Sequence, residues 1–166
     1  MQHSAADTAG GGKRAAKQPA IKGKPAVKGM AASKGKALTI VSPAVHDRSP
    51  GGLGIGSNTG RMHLAQPWWV RLRYPVPYSV FCLPDSEVRL YTILRFALQS
   101  TISTLTTANP STILLLCRQL LAWQDDLAAD LTDGTLRRGP AERLDPKTRR
   151  ALSRSLKKHA SPSDWR

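Results

Sequence analysis

Gly52, Gly54, Gly56 and Gly60, in the stretch SPGGLGIGSNTG, are a candidate phosphate cradle, because a residue without a Cβ lets backbone N–H groups approach an anion. Their spacing departs from the dinucleotide fingerprint and no helix start is read after them, so a plain loop or hairpin is expected. Residues 10–14, GGGKR, fail as a phosphate loop: Asp7 stands where the upstream glycine is needed, and Arg14 replaces the hydroxyl residue that would hold magnesium. His3, His46, His63 and His159 are scattered, with no pair at helical ligand spacing, so no metal is expected. Cys117 falls on an apolar helix face and reads as a small core residue. Trp68 and Trp69 could stack bases, but with Pro67 and Val70 beside them packing is the expectation. Arg149, Arg150, Arg154, Lys157 and Lys158 make one basic helix, which either binds nucleic acid or acidic protein or is a solvated face.

The elements that would position these residues follow from caps and periodicity. Leu38 to Val41 is a short β-prone run stopped by Ser42 and Pro43. Pro67, Pro75 and Pro77 forbid a continuous helix over 66–78, which is expected to be irregular or extended and to pin aromatic rings to the module. Asp85 can cap a helix from Ser86 to Gln99 whose apolar stripe is Val88, Tyr91, Leu94, Ala97 and Leu98. Ile102 to Thr107 reads as a strand. Asn109 and Pro110 open, and Gly134 stops, one long amphipathic helix. Its apolar face is Ile113, Leu114, Cys117, Leu120, Leu121, Ala128 and Leu131, with Asp125, Asp126, Asp130 and Asp133 outward, where late acids oppose the helix dipole. Asp145 and Pro146 open a third helix running to about His159. Helix, strand, helix in this order predicts an α/β layer.

Charge divides the chain. Residues 1–36 carry eight Lys/Arg against Asp7 alone, residues 37–133 carry seven of each sign, and residues 134–166 carry ten against three. A neutral middle between two basic ends predicts a folded module with solvated arms. The Lys/Gly/Ala/Pro composition of the amino end offers too little apolar surface to offset the ordering of its backbone, so residues 1–37 are expected to be a disordered tail and residues 38–166 the domain. Two cysteines without disulfide or metal spacing, and no apolar stretch that would serve as a secretory signal or a membrane span, point to the cytoplasm.

The strings PWWVR (67–71), VPY (76–78), PDSEVRLY (84–91), NPST (109–112) and DLTDG (130–134) stand in an order that resembles the acyl-acid amido synthetases of the auxin-responsive promoter family. That family lies within the adenylate-forming, firefly-luciferase-like superfamily, and the resemblance covers residues 38–166. It implies that this region is a partial helix–strand–helix layer of an adenylate-forming amino-terminal domain. It also implies a two-step reaction, in which ATP with Mg activates a carboxylic acid as an acyl-adenylate and an amino acid's amine then displaces AMP. The turn from Asn109 to Thr112 resembles the strand-to-helix loop bordering the acyl-acid pocket, so Asn109 and Ser111 are the expected pocket-wall residues. No catalytic residue and no metal ligand is assigned. The family's phosphate loop and adenine site are not recognised here, residues 8–13 (TAGGGK) being only a faint echo of the former. The expectation is therefore a truncated internal fragment, inactive alone, that binds no cofactor itself and that a second chain would complete. A basic nucleic-acid-binding accessory protein is the alternative.

Overall fold

The computed structural model describes residues 35–45 and 47–158. The expected tail, residues 1–37, lies outside them except for Gly35, Lys36 and Ala37, and the last two already run in a strand.

The architecture is mixed α/β. In chain order the elements are β1 (Lys36–Ile40), β2 (Asp47–Arg48), β3 (Gly54–Ile55), α1 (Asn58–Ala65), α2 (Trp68–Arg71), α3 (Tyr78–Phe81), α4 (Ser86–Leu98) and β4 (Ile102–Thr107). There follow α5 (Ser111–Ala122), α6 (Gln124–Asp133), a 3-10 turn over Gly139–Arg143, and α7 (Pro146–Ser153). β1 pairs with β4 in parallel, Leu38 beside Leu105 and Ile40 beside Thr107, while β2 and β3 form a small antiparallel hairpin. The connection from β1 to β4 carries four helices, as a parallel pair requires of its crossover.

The core is built around α4. The Asp85 carboxylate accepts from the N–H groups of Glu87 (2.9 Å) and Val88 (3.2 Å), which satisfies donors the first turn would otherwise leave open. The expected stripe is buried except for Leu98, which is half-buried, but burial also goes further: every residue from Tyr91 to Ala97 is inside. The reason is the number of neighbours, since α3, α5, α6 and the 3-10 turn all pack on α4. A helix covered on all sides buries whatever its sequence offers, so Thr92 and Arg95 go in with Ile93 and Phe96. Thr92 meets this by donating its hydroxyl to Val88 O (2.7 Å).

Three expectations are corrected or narrowed here. The segment 66–78 is irregular rather than extended, and it folds the single-turn helix α2 after Pro67, with α3 beginning just after Pro77. Tyr74 and Tyr78 do pack, but Trp68 and Trp69 are 69% and 58% exposed. A second difference is that the long helix over 110–133 is broken at Trp123 (φ −112°, ψ 18°) into α5 and α6. Asp125 and Asp126 therefore sit in the first turn of α6, where acids favour the helix dipole rather than oppose it. Third, the expected stripe is met only in part: Leu120 packs and Leu131 is buried, but the rest of the packed side is Leu116, Trp123 and Leu127. Cys117 is exposed, as are Leu114 (66%) and Leu121 (70%).

The stop at Gly134 is as expected, with φ 69° in the left-handed region that glycine adopts without strain. Asp145 caps α7 through Thr148 N (2.9 Å), but the helix closes at Ser153, short of the expected His159, which lies outside the described residues. Among the described residues no helix is long and apolar enough to cross a membrane.

Candidate functional site

Two polar turns stand at the carboxyl end of the parallel pair. In open α/β sheets this is the end where ligands collect, because strand-to-helix turns there present side chains and helix N-termini. Since Ile40 lies beside Thr107, the chain leaving β1 and the chain leaving β4 emerge together.

After β4 the turn is organised by Asn109. Its Oδ1 accepts from Ser111 N (3.0 Å) and from the Ser111 hydroxyl (2.8 Å), while the Thr107 hydroxyl donates to Asn109 O (3.2 Å) and accepts from Asn109 N (3.3 Å). Asn109 thus serves as the cap expected for α5, with Pro110 already helical in backbone (φ −57°, ψ −31°). Asn109 and Ser111 are both exposed, and the Asn109 amide nitrogen makes no hydrogen bond among the described residues.

After β1 the turn is closed by a helix that the glycine-rich stretch was not expected to start. Ser57 caps α1 through Thr59 N (3.2 Å), its hydroxyl lies 2.7 Å from the Thr59 hydroxyl, and Ser42 N donates to Thr59 Oγ1 (3.2 Å). Ser57 N in turn donates to Pro43 O (3.0 Å). Ser57 and Thr59 are candidate residues that the sequence reading missed. The signal for them was a serine with a hydroxyl residue two positions on, a capping pattern hidden among glycines.

The same stretch decides whether it could cradle a phosphate. A Cβ on Gly56 would stand 1.9 Å from Ala44 O, and one on Gly60 2.3 Å from Ser42 O and 2.5 Å from Ala44 N. The room these glycines provide is filled by the chain's own backbone, so no anion fits there. Gly52 (φ 79°) makes the hairpin turn. The hairpin reading holds, and Gly56 and Gly60 leave no room for a phosphate. Residues 8–14, with their other glycines, lie outside the described part.

His63, on the inner side of α1, is buried and stacked against Tyr74 (centroids 4.8 Å) and Tyr78 (5.4 Å), and the Tyr78 hydroxyl oxygen accepts from Ala44 N (2.7 Å). Its Nδ1 is buried without a partner. Burial, and then the charge of Arg71, hold its pKa below the ordinary 6.5. The unfolded chain therefore takes up this proton first as pH falls. Stability is full above about pH 6.5 and declines as pH drops through the folded value. Chemical denaturation at pH 7.5 and at successively lower pH should show this decline, and His63→Phe, which keeps the stack, should flatten it; equal slopes in both proteins would refute the assignment. His3, His46 and His159 lie outside the described residues, among which no group of three or more His, Cys, Asp or Glu is placed to hold a metal ion.

Asp130, expected outward, is fully buried and is the polar centre of the module. Its carboxylate accepts from the Tyr91 hydroxyl (2.9 Å), the Thr135 hydroxyl (2.7 Å), Arg137 N (3.0 Å) and Arg138 N (3.2 Å). Burial, reinforced by the Asp130 charge, pushes the Tyr91 phenol far up, so it stays a donor. Arg95 lies beside this group, giving its guanidinium to Thr135 O (3.1 Å), Gln99 Oε1 (3.3 Å) and Lys157 O (3.1 Å), with burial drawing its pKa down. A carboxylate with four donors and an adjacent fixed cation is saturated. It holds the turn after α6 in place and has no lone pair left for chemistry.

Of the basic helix, Arg149, Arg150 and Arg154 come together with Arg137 along one trough, whereas Lys157 is drawn aside by its backbone bonds to Gln99 and Arg95. A family model described as the GH3 family N-terminal domain matches residues 15–165. No curated protein matches the chain.

Proposed function

Because the chain belongs to the GH3 family, we propose that it forms part of an acyl-acid amido synthetase and supplies one wall of the acyl-acid pocket, without adenylating an acid by itself. In the reaction this family resemblance implies, the acid's carboxylate attacks the α-phosphorus of ATP and expels pyrophosphate, and the amine of an amino acid then attacks the acyl carbon and expels AMP.

The observation that carries the reading is that the paired strands β1 and β4 end side by side, with a hydroxyl-bearing turn beyond the one and a hydroxyl- and amide-bearing turn beyond the other. Asn109 would turn its amide nitrogen to the acid, since Oδ1 is already occupied by Ser111. Ser111 would act mainly by fixing that orientation. Ser57 and Thr59 would border the acid from the neighbouring strand. These are neutral donors that can orient a carboxylate or a polar substituent. Stabilising the charge of a phosphoryl transfer needs preorganised cations or backbone donors aimed at it, and at Gly56 and Gly60 the glycine-rich stretch is filled by its own backbone.

The test is acid-dependent pyrophosphate exchange over a panel of aromatic and aliphatic acids, with the chain alone and with a second chain supplying the rest of a family domain. No exchange is expected from the chain alone. Exchange on mixing would be reduced about tenfold by Asn109→Ala, the effect of one lost hydrogen bond to the reactant. Exchange by the isolated chain would overturn the proposal.

A further inference from the structure

The turn between α6 and α7 carries a feature that the acid pocket does not use. Arg137, Glu142, Pro146, Arg149 and Arg150 line a cavity of about 500 Å³, which continues along α7 into a second of about 490 Å³ lined by Arg137, Arg149, Arg150, Ser153 and Arg154. The two share three arginines and form one open trough.

The charge in this trough is unneutralised. The neighbouring arginines are paired, Arg138 with Asp133 (2.9 Å) and Arg143 with Asp85 (3.0 Å) and Glu87 (2.7 Å). Arg137, Arg149, Arg150 and Arg154 have no carboxylate within ion-pair distance among the described residues, although Glu142 lines the same trough. Four like charges brought together repel one another, and an anion lying among them removes that cost.

The trough is also rigid at its base. Arg149 donates through one nitrogen, Nη2, to the carbonyls of Ala141 (3.0 Å), Glu142 (2.9 Å) and Leu144 (3.1 Å), and its Nε is buried without a partner. Arg137 is fixed by its backbone N–H on the Asp130 carboxylate, which leaves its side chain exposed. Arg150 and Arg154 project from α7 one turn apart, about 6 Å along the axis, which is close to the separation of neighbouring phosphates on a nucleic-acid strand.

We propose that this trough is a track for the phosphate backbone of nucleic acid, bound without regard to sequence. Guanidinium groups match phosphate geometry through paired N–H donors. No aromatic ring among the described residues lines the trough, so the contact they offer is to phosphate rather than to stacked bases. The trough is open along its length, which suits an extended polyanion better than a small phosphate needing enclosure. The formal charge of +14 on the whole chain adds long-range attraction.

The experiment is fluorescence anisotropy of a labelled mixed-sequence duplex DNA with the full chain, between about 50 and 200 mM salt, the range over which counterion release is read. Basic sequence outside the trough contributes equally to every variant, so the slope differences isolate the trough. R150Q/R154Q changes two exposed side chains, and it should lower the slope of log K against log salt by about 1.8, at 0.9 per phosphate lost. R137Q should lower it by about 0.9. R48Q/R118Q removes the same charge from exposed sites elsewhere and should leave the slope unchanged; circular dichroism of each variant reports that the fold is kept. Equal losses from both double variants would overturn the proposal. So would an unchanged slope in R150Q/R154Q. Complete displacement of the duplex by inorganic tripolyphosphate at equal phosphate concentration would overturn it in favour of a small phosphate ligand, and displacement by polyglutamate at equal charge would do so in favour of an acidic protein.

Discussion

Asp130→Ala is expected to lower the unfolding free energy by about 3–5 kcal/mol, the effect of removing one partner from a buried charged group. The alanine takes away the acceptor for two hydroxyls and two backbone N–H groups at once, and it leaves Arg95 buried beside a cavity where a carboxylate had been. A loss of that size is about a fifth or more of the stability of an ordinary domain, which is about 5–15 kcal/mol. Tyr91→Phe is the milder companion, removing one donor while the other three remain, and should cost about 1–2 kcal/mol. Urea denaturation of the three proteins measures both values. If Asp130→Ala unfolded no earlier than Tyr91→Phe, the carboxylate would not be the centre described above.

Gly56→Ala comes next in size. Its added carbon would stand 1.9 Å from Ala44 O and 2.7 Å from Val45 Cα, both backbone, so no side chain can turn away to relieve the overlap. The hairpin and the start of α1 must shift together, with a loss of about 1–3 kcal/mol or more, the usual effect of overpacking. Gly52→Ala is the control: nothing lies within 4 Å of its added carbon, and its effect comes from positive φ alone, about 1 kcal/mol. Thermal melts should therefore rank Gly56→Ala below Gly52→Ala. A Gly56→Ala protein as stable as the parent would mean that the contact with Ala44 does not exist in solution, and with it the argument that this loop has no room for phosphate.

What could be read along the chain was local. Asp85 and Asp145 as caps, Gly134 as a stop and the strand from Ile102 to Thr107 all appear as expected, because a cap needs only the next three residues and a β-branched run needs only itself. The family resemblance likewise rested on short strings in order, and the turn at Asn109 and Ser111 was legible for the same reason: its hydrogen bonds span two residues.

What the sequence could not decide was which way ambiguous side chains face. In STILLLCRQLLA apolar residues occur all round the helix, so periodicity could not distinguish a face centred on Cys117 from one centred on Leu116; only packing on α4 made the choice. Asp130 read as solvent-facing because a lone aspartate normally is, and its burial rests on donors from Tyr91, thirty-nine residues earlier in sequence, and from a turn that did not exist until α6 ended. Arg137 and Arg154 share a trough for the same kind of reason. The charges were visible in the sequence, but their convergence depends on the path of the chain between two helices, and that path is fixed by the buried carboxylate that holds it.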